Sequence, residues 1–178
     1  MQITPMKSIY SVAGAIRSMQ KEQNDTESML QAKQSLIKQM KVILANGYVF
    51  YYKAHAFHWN IEGSNFPQYH QFLEKIYTEV YYRLDDTAEQ IRAIHGYAPS
   101  SLSALYAISS IQETINIPAP KEMFQILSMD NEKLIVDLNT GYRLAEQANE
   151  MGLSNFLQDR INDHKKLGWM IASTIKGE

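Results

Sequence analysis

The sequence contains no cysteine, which excludes disulfide scaffolds, thiolate metal sites and cysteine nucleophiles together. Any metal it holds must be bound through His, Asp or Glu, a donor set suited to iron, manganese or zinc. No apolar run approaches the ~18–20 residues of a membrane span, so a soluble chain is expected, and a cytoplasmic address fits. Charge of one sign is lacking too: 17 Lys and Arg face 19 Asp and Glu, for a formal net charge of −2. Nucleic-acid binding normally shows as a basic excess or stripe, so DNA is not an expected partner. Glycine and proline are scarce, at 8 and 5, and they separate long stretches of helical periodicity. No alternating β pattern occurs. What remains is ordinary globular composition in 178 residues, enough for one domain of ~100–200 residues and short for two.

Residues 1–23 are weakly patterned and are expected to form an N-terminal arm, flexible or a short helix. Lys7, Arg17 and Lys21 in it are offset by Glu22, Asp25 and Glu27. Residues 24–178 should form the folded domain. Its first long helix is expected to start at a cap near Asn24–Thr26 and run to about His58 through Leu30, Ile37, Leu44 and Tyr48. Gly47 weakens it by ~1 kcal/mol relative to Ala. A loop over 60–67 leads to a second helix from Pro67 to about Ile94, stopped by Gly96. Its apolar stripe is Leu73, Ile76, Tyr77, Val80, Leu84, Ala88 and Ile91. A short helix is expected over Ser101–Ser110. Pro118 and Pro120 restart the chain into a third long helix carrying Met123, Leu127, Leu134, Leu138 and Ala145. Gly152 should end it and Ser154 cap a fourth, with Leu157, Ile161, Ile171 and Ile175. The class is all-α: a four-helix bundle with a short helix in the crossover between the second and third.

Five histidines, His55, His58, His70, His95 and His164, are the nitrogen donors available for a metal. None has Glu three residues before it, so the Glu-x-x-His signature of a di-iron centre built inside one bundle is missing. The second helix offers another arrangement. His70, Glu74, Asp85 and Glu89 fall in one polar sector beside its apolar stripe, at ~100° per residue. Glu74 and Asp85 are nevertheless ~16 Å apart along the axis at 1.5 Å per residue, and coordination bonds are only ~2 Å long. One chain cannot close a site from both pairs. Two antiparallel copies can: a two-fold axis near residues 79–80 sets His70 opposite Glu89 and Glu74 opposite Asp85, the self-complementary contact of a C₂ interface. His58, at the end of the first helix, is placed to join His70. On spacing alone the competing explanation is a solvated helix face, since i,i+4 polar pairs are common.

The stretch His58-Trp59-Asn60-Ile61-Glu62-Gly63-Ser64-Asn65-Phe66, then His70, then Asp85-Asp86-Thr87-Ala88-Glu89, resembles the Dps family, the starvation-type mini-ferritins of the ferritin-like superfamily. Tyr97-Ala98-Pro99 after the second helix and the C-terminal Trp169-Met170 fit the same likeness, which spans roughly residues 25–175. The resemblance implies a hollow homododecamer assembled from two-fold dimers, with ferroxidase centres at the dimer interfaces. Each would take His58, His70 and Glu74 from one chain and Asp85 and Glu89 from its partner. It implies Fe(II) oxidation by hydrogen peroxide, or less readily oxygen, storage of ferric iron, and a role in oxidative stress. Iron is the expected metal, with zinc or manganese as alternative occupants.

Three departures from that pattern stand out. Position 74, usually Asp in the family, is Glu74, which moves the carboxylate outward by one methylene. The acid-rich turn expected before the last helix reads Gly152-Leu153-Ser154-Asn155, leaving Glu146, Glu150, Asp159 or Asp163 to draw iron in. The basic arm that binds DNA in many members is replaced by a nearly neutral segment. An alternative function is therefore a storage shell that binds metal at an altered site without efficient turnover. Around the site, Glu62 reads as an exposed loop acid and Trp59 as interface packing or a trap for oxidising equivalents. Tyr81 is the tyrosine best placed to cross the dimer axis. His55 reads as an interfacial histidine, His164 as a hydrogen-bonded core histidine, and His95 as part of a helix end.

Overall fold

The structure, a computed structural model, describes residues 7–176, with side chains described from residue 14 onward. Five helices follow in order: α1 (Lys7–Asn60), α2 (Phe66–Ala93), α3 (Leu102–Ile108), α4 (Pro120–Gln147) and α5 (Met151–Ile175). The described residues include no strand. Four long helices form the expected bundle, with α3 in the crossover. The pairs α1–α2, α4–α5 and α1–α4 pack closely, while α2 and α5 do not. No described helix is long and apolar enough to cross a membrane.

The expected stripes are the core. Leu73, Ile76, Val80, Leu84 and Ile91 of α2 are buried, as are Met123, Leu127, Leu134, Leu138 and Ala145 of α4 and Leu157, Ile161 and Ile171 of α5. They divide into two apolar clusters, one around Leu36, Leu44, Leu138 and Leu157, the other around Phe50, Phe124, Leu127 and Ile171. Several polar side chains are buried among these helices as well. Lys53 Nζ pairs with Asp130 at 6% exposure on each side and donates to the Gln112 carbonyl (2.7 Å). Asn46 Nδ2 donates to Asp137 (2.7 Å), while its Oδ1 accepts from Ser109 Oγ and the Ser110 backbone N–H. Asn46 thereby fastens the end of α3 to α1.

Three boundaries differ from the sequence reading. α1 is already helical at Lys7 and passes through 24–26 unbroken. Thr26 does not cap; its Oγ1 donates back to the Glu22 carbonyl (2.7 Å), as hydroxyls inside helices do. Residues 14–31 are exposed, Leu30 among them, and among the described side chains of α1 the first that is fully buried is Leu36. The end of α2 holds as expected at His95 and Gly96: the left-handed residue is His95 (φ 67°), and Gly96 also packs closely. A Cβ on Gly96 would lie 2.8 Å from Ile37 Cγ2 and 2.9 Å from Ile91 Cγ2. The α4–α5 turn is made by Asn149 (φ 57°), with the Glu150 N–H donating to the Ala145 carbonyl (2.9 Å). Gly152 and Ser154 therefore lie inside α5 rather than ending or capping a helix. Asn shares glycine's tolerance of the left-handed region, which is why it can replace glycine at a helix end.

Candidate metal centre

The end of α1 and the start of α2 are joined by residues 61–65 alone. Gly63 takes a backbone φ of 113°, open to glycine at no steric cost, and its carbonyl accepts from the Phe66 N–H (3.1 Å). Pro67 occupies the first turn of α2, where no N–H is needed. This short reversal brings His58 and His70 together. Their rings stack at 3.7 Å between centroids, 22° from parallel.

Each ring is held by the other residue's backbone. His58 Nδ1 donates to the His70 carbonyl and His70 Nδ1 donates to the His58 carbonyl, both at 2.9 Å. A carbonyl can only accept, so both Nδ1 atoms carry the proton and both Nε2 atoms present lone pairs. This is the arrangement that orients a metal-binding imidazole and fixes its tautomer. His58 is 9% exposed and His70 is half-buried.

The three acids behave differently. Glu74 stands one turn beyond His70 on α2 and is exposed, as are Asp85 and Glu89 farther along the same helix. Among the described residues no three His, Asp or Glu side chains gather closely enough to hold a metal ion. One chain thus assembles the two imidazoles and leaves the carboxylates on the open face of α2, split into two groups by the helix rise.

An aromatic layer surrounds the pair. His55 stacks on Tyr77 (4.0 Å) and contacts Trp59 (4.2 Å), and Tyr51 Oη lies 3.4 Å from its Nδ1. Burial, and then the neighbouring His58, lower its pKa. His55 is therefore committed to ring contacts. Tyr51 packs on Tyr81 (5.2 Å), which reaches Tyr82 (6.0 Å). Trp59, Tyr81 and Tyr82 are more than half exposed, an apolar surface beside the polar sector of α2. Glu62 is exposed in the loop. His164 lies remote from these residues in sequence, on α5, and is a core histidine as expected: its Nδ1 donates to Asn131 Oδ1 (2.7 Å), and Asn131 Nδ2 donates to the His164 carbonyl (2.9 Å). Burial first, and Arg160 second, lower its pKa to about 4.

Sequence spacing could not supply the exchanged carbonyl bonds, which depend on the backbone path between two helices. The Gly63 and Pro67 positions were the available signal that the reversal is tight.

A model of the ferritin-like domain matches residues 37–177. The chain is 30% identical over 132 residues to DNA protection during starvation protein 2 of Bacillus anthracis, covering 74% of this chain and 90% of that one. Among solved structures, the Dps protein of Vibrio cholerae O1 superposes with a TM-score of 0.79 at 28% identity, over 82% of this chain and 92% of that one. That protein is described as a member of a broad superfamily of ferritin-like diiron-carboxylate proteins. Dps from Staphylococcus aureus gives a TM-score of 0.78 at 27% identity, over 82% and 97% of the two chains.

Proposed function

The chain belongs to the Dps family of ferritin-like proteins, and from that premise we propose that it oxidises Fe(II) at sites shared between two copies of itself and stores the ferric product in a closed homo-oligomeric shell. Iron storage and protection against oxidative stress are the functions the family supports in general. The observation that carries the finer reading is the crossed pair of His58 and His70, whose Nε2 lone pairs are left free by the exchanged Nδ1 bonds.

His58 and His70 present neutral nitrogen donors, and Glu74 supplies an oxygen one turn on. In an antiparallel pair of α2 helices crossing between residues 79 and 80, Asp85 and Glu89 of the second copy complete the set, and the two-fold axis makes two such sites. The exposed tyrosines and Trp59 on the same side give that contact an apolar component. Fe(II) is the substrate. Two ferrous ions each lose one electron, and one hydrogen peroxide takes both electrons and two protons and leaves as two waters. Oxygen serves as the slower oxidant. Carboxylates stabilise the ferric product more than the ferrous reactant, while the oriented imidazoles hold the ion at the start. Twelve copies built from two-fold dimers would enclose the mineral.

Stopped-flow absorbance after anaerobic Fe(II) loading and peroxide addition tests this. Wild type should give a fast ferric signal, and His58→Ala with His70→Ala should slow it by about 100-fold, the scale of losing oriented donors, with sedimentation unchanged. A fast signal that survives in the double variant overturns the assignment. Iron bound without any fast signal in wild type would instead make the protein a store without turnover, the reading that the longer Glu74 side chain favours.

A further inference from the structure

The rings beside the imidazole pair form a continuous row. Tyr77 has its ring centre 5.2 Å from that of His58 and stacks on His55 at 4.0 Å. From Tyr77 the next phenol is Tyr51, at 6.4 Å, followed by Tyr81 at 5.2 Å and Tyr82 at 6.0 Å. Tyr77 and Tyr51 are half-buried; Tyr81 and Tyr82 are exposed on α2. Packing alone does not call for a hydroxyl on each of these rings, because phenylalanine fills nearly the same volume. Tyrosine differs from phenylalanine in giving up one electron to a strong oxidant, and the chain has no cysteine to take that part.

Tyr51 is equipped to do so. Burial first, then Tyr81, Tyr48 and Tyr77, raise its pKa, so the phenol carries its proton at neutral pH and must release it when an electron leaves. His55 Nδ1 lies 3.4 Å from Tyr51 Oη, an acceptor within reach of that proton.

We propose that Tyr77 and Tyr51, with His55 as proton acceptor, form a one-electron relay that lends the iron centre the second electron hydrogen peroxide needs. This rests on the iron-oxidation reading above. Peroxide takes two electrons and two protons to become two waters. A centre holding a single Fe(II) supplies one electron, and peroxide reduced by one electron breaks to give a hydroxyl radical. Through the relay the second electron leaves Tyr51 by way of Tyr77, and the phenolic proton moves to His55 Nδ1. Fe(II) becomes Fe(III), the O–O bond breaks, and two protons from solvent complete the two waters. The Tyr51 radical then takes one electron from the next Fe(II) and recovers its proton from His55. Two Fe(II) are consumed per peroxide in the end, without both having to be present when peroxide arrives.

Rapid freeze-quench electron paramagnetic resonance on the full-length assembled protein tests the relay. Loaded anaerobically with one Fe(II) per centre and mixed with peroxide, wild type should show a tyrosyl radical that disappears when a second Fe(II) is added. Tyr51→Phe and Tyr77→Phe each keep the ring and remove the oxidisable phenol. Either should abolish most of the radical and raise the hydroxyl radical caught by an added spin trap severalfold, with sedimentation and urea midpoint unchanged. His55→Phe keeps the stack on Tyr77 and removes the proton acceptor, and should cut the radical yield severalfold. The ring neighbours of Trp59 are His55 and Tyr52, so Trp59→Phe should leave the tyrosyl signal in place. Ferric iron formed without a tyrosyl radical, or a radical that survives both tyrosine variants or falls only with Trp59, overturns the relay and leaves iron oxidation standing. Wild type that gives no ferric signal overturns the iron-oxidation reading and the relay with it.

Discussion

The two imidazoles of the proposed centre and the buried ion pair of the core illustrate how single residues are constrained in this protein. His58 and His70 are each fixed by one backbone carbonyl, so their tautomer does not wait for a metal. Glu74 has no comparable support; it is exposed at the end of a longer side chain. Glu74→Asp should therefore raise the rate of ferric formation severalfold, as shorter reach tightens the site toward the ~0.5 Å positioning that catalysis needs, with no change in urea midpoint. Lys53 and Asp130 form the opposite case, paired at 6% exposure on both sides. Lys53→Met leaves a carboxylate that only Lys133, at 3.5 Å and half exposed, can partly answer. It should cost ~3–5 kcal/mol, and adding Asp130→Leu should recover most of that, because replacing a whole buried pair is far cheaper than breaking it. Urea unfolding of the three proteins checks the difference.

Elements were legible where a periodic apolar face decided them, and less so where a single backbone angle did. The stripes of α2, α4 and α5 were readable because burial selects every third or fourth residue. The start of α1 was not: with residues 14–31 exposed, no core face exists there to set a period, and a capping pattern at 24–26 was mistaken for a beginning. At the end of α2 the expected pairing of His95 with Gly96 holds: His95 takes the left-handed angle and the Gly96 N–H donates to the Ile91 carbonyl (2.8 Å), but local sequence does not show the tertiary crowding that also demands glycine at 96. That crowding gives a prediction. Gly96→Ala places a Cβ against Ile37 and Ile91 at 2.8 and 2.9 Å and should destabilise by ~1–3 kcal/mol, the range for overpacking, seen as a lower urea midpoint at unchanged slope. The α4–α5 clasp adds a pH dependence. His164 titrates near 4 in the fold against 6.5 for the free side chain. Between those values the unfolded chain binds more protons, so stability falls as pH drops through that window. With ~1.4 kcal/mol per pKa unit the loss approaches about 3 kcal/mol once both states are protonated. His164→Gln should flatten the stability curve between pH 6.5 and 4, leaving it unchanged above.

For the whole molecule the decisive question is whether the carboxylates on α2 belong to the same copy as the histidines they serve. The sequence made half of this answer available, because the spacing of His70, Glu74, Asp85 and Glu89 on one helix fixes distances along its axis regardless of packing. The other half is a relation between copies, which one chain's contacts do not contain. Subunit complementation supplies it. A chain with His70→Ala and Glu74→Ala loses the imidazole side of each centre; one with Asp85→Asn and Glu89→Gln loses the carboxylate side. Each alone should assemble and lack the fast ferric signal. If the centres are shared across a two-fold axis, a mixed dimer contains one centre with both defects and one with neither. Random co-assembly makes half the dimers mixed, so about one quarter of all centres are intact, and stopped-flow amplitude should recover to about 25% of wild type by that symmetry. Centres contained within one chain would recover nothing on mixing, and simple physical blending of preformed shells would also recover nothing. Recovery only after unfolding and joint reassembly therefore identifies the seam itself as the place where iron is oxidised.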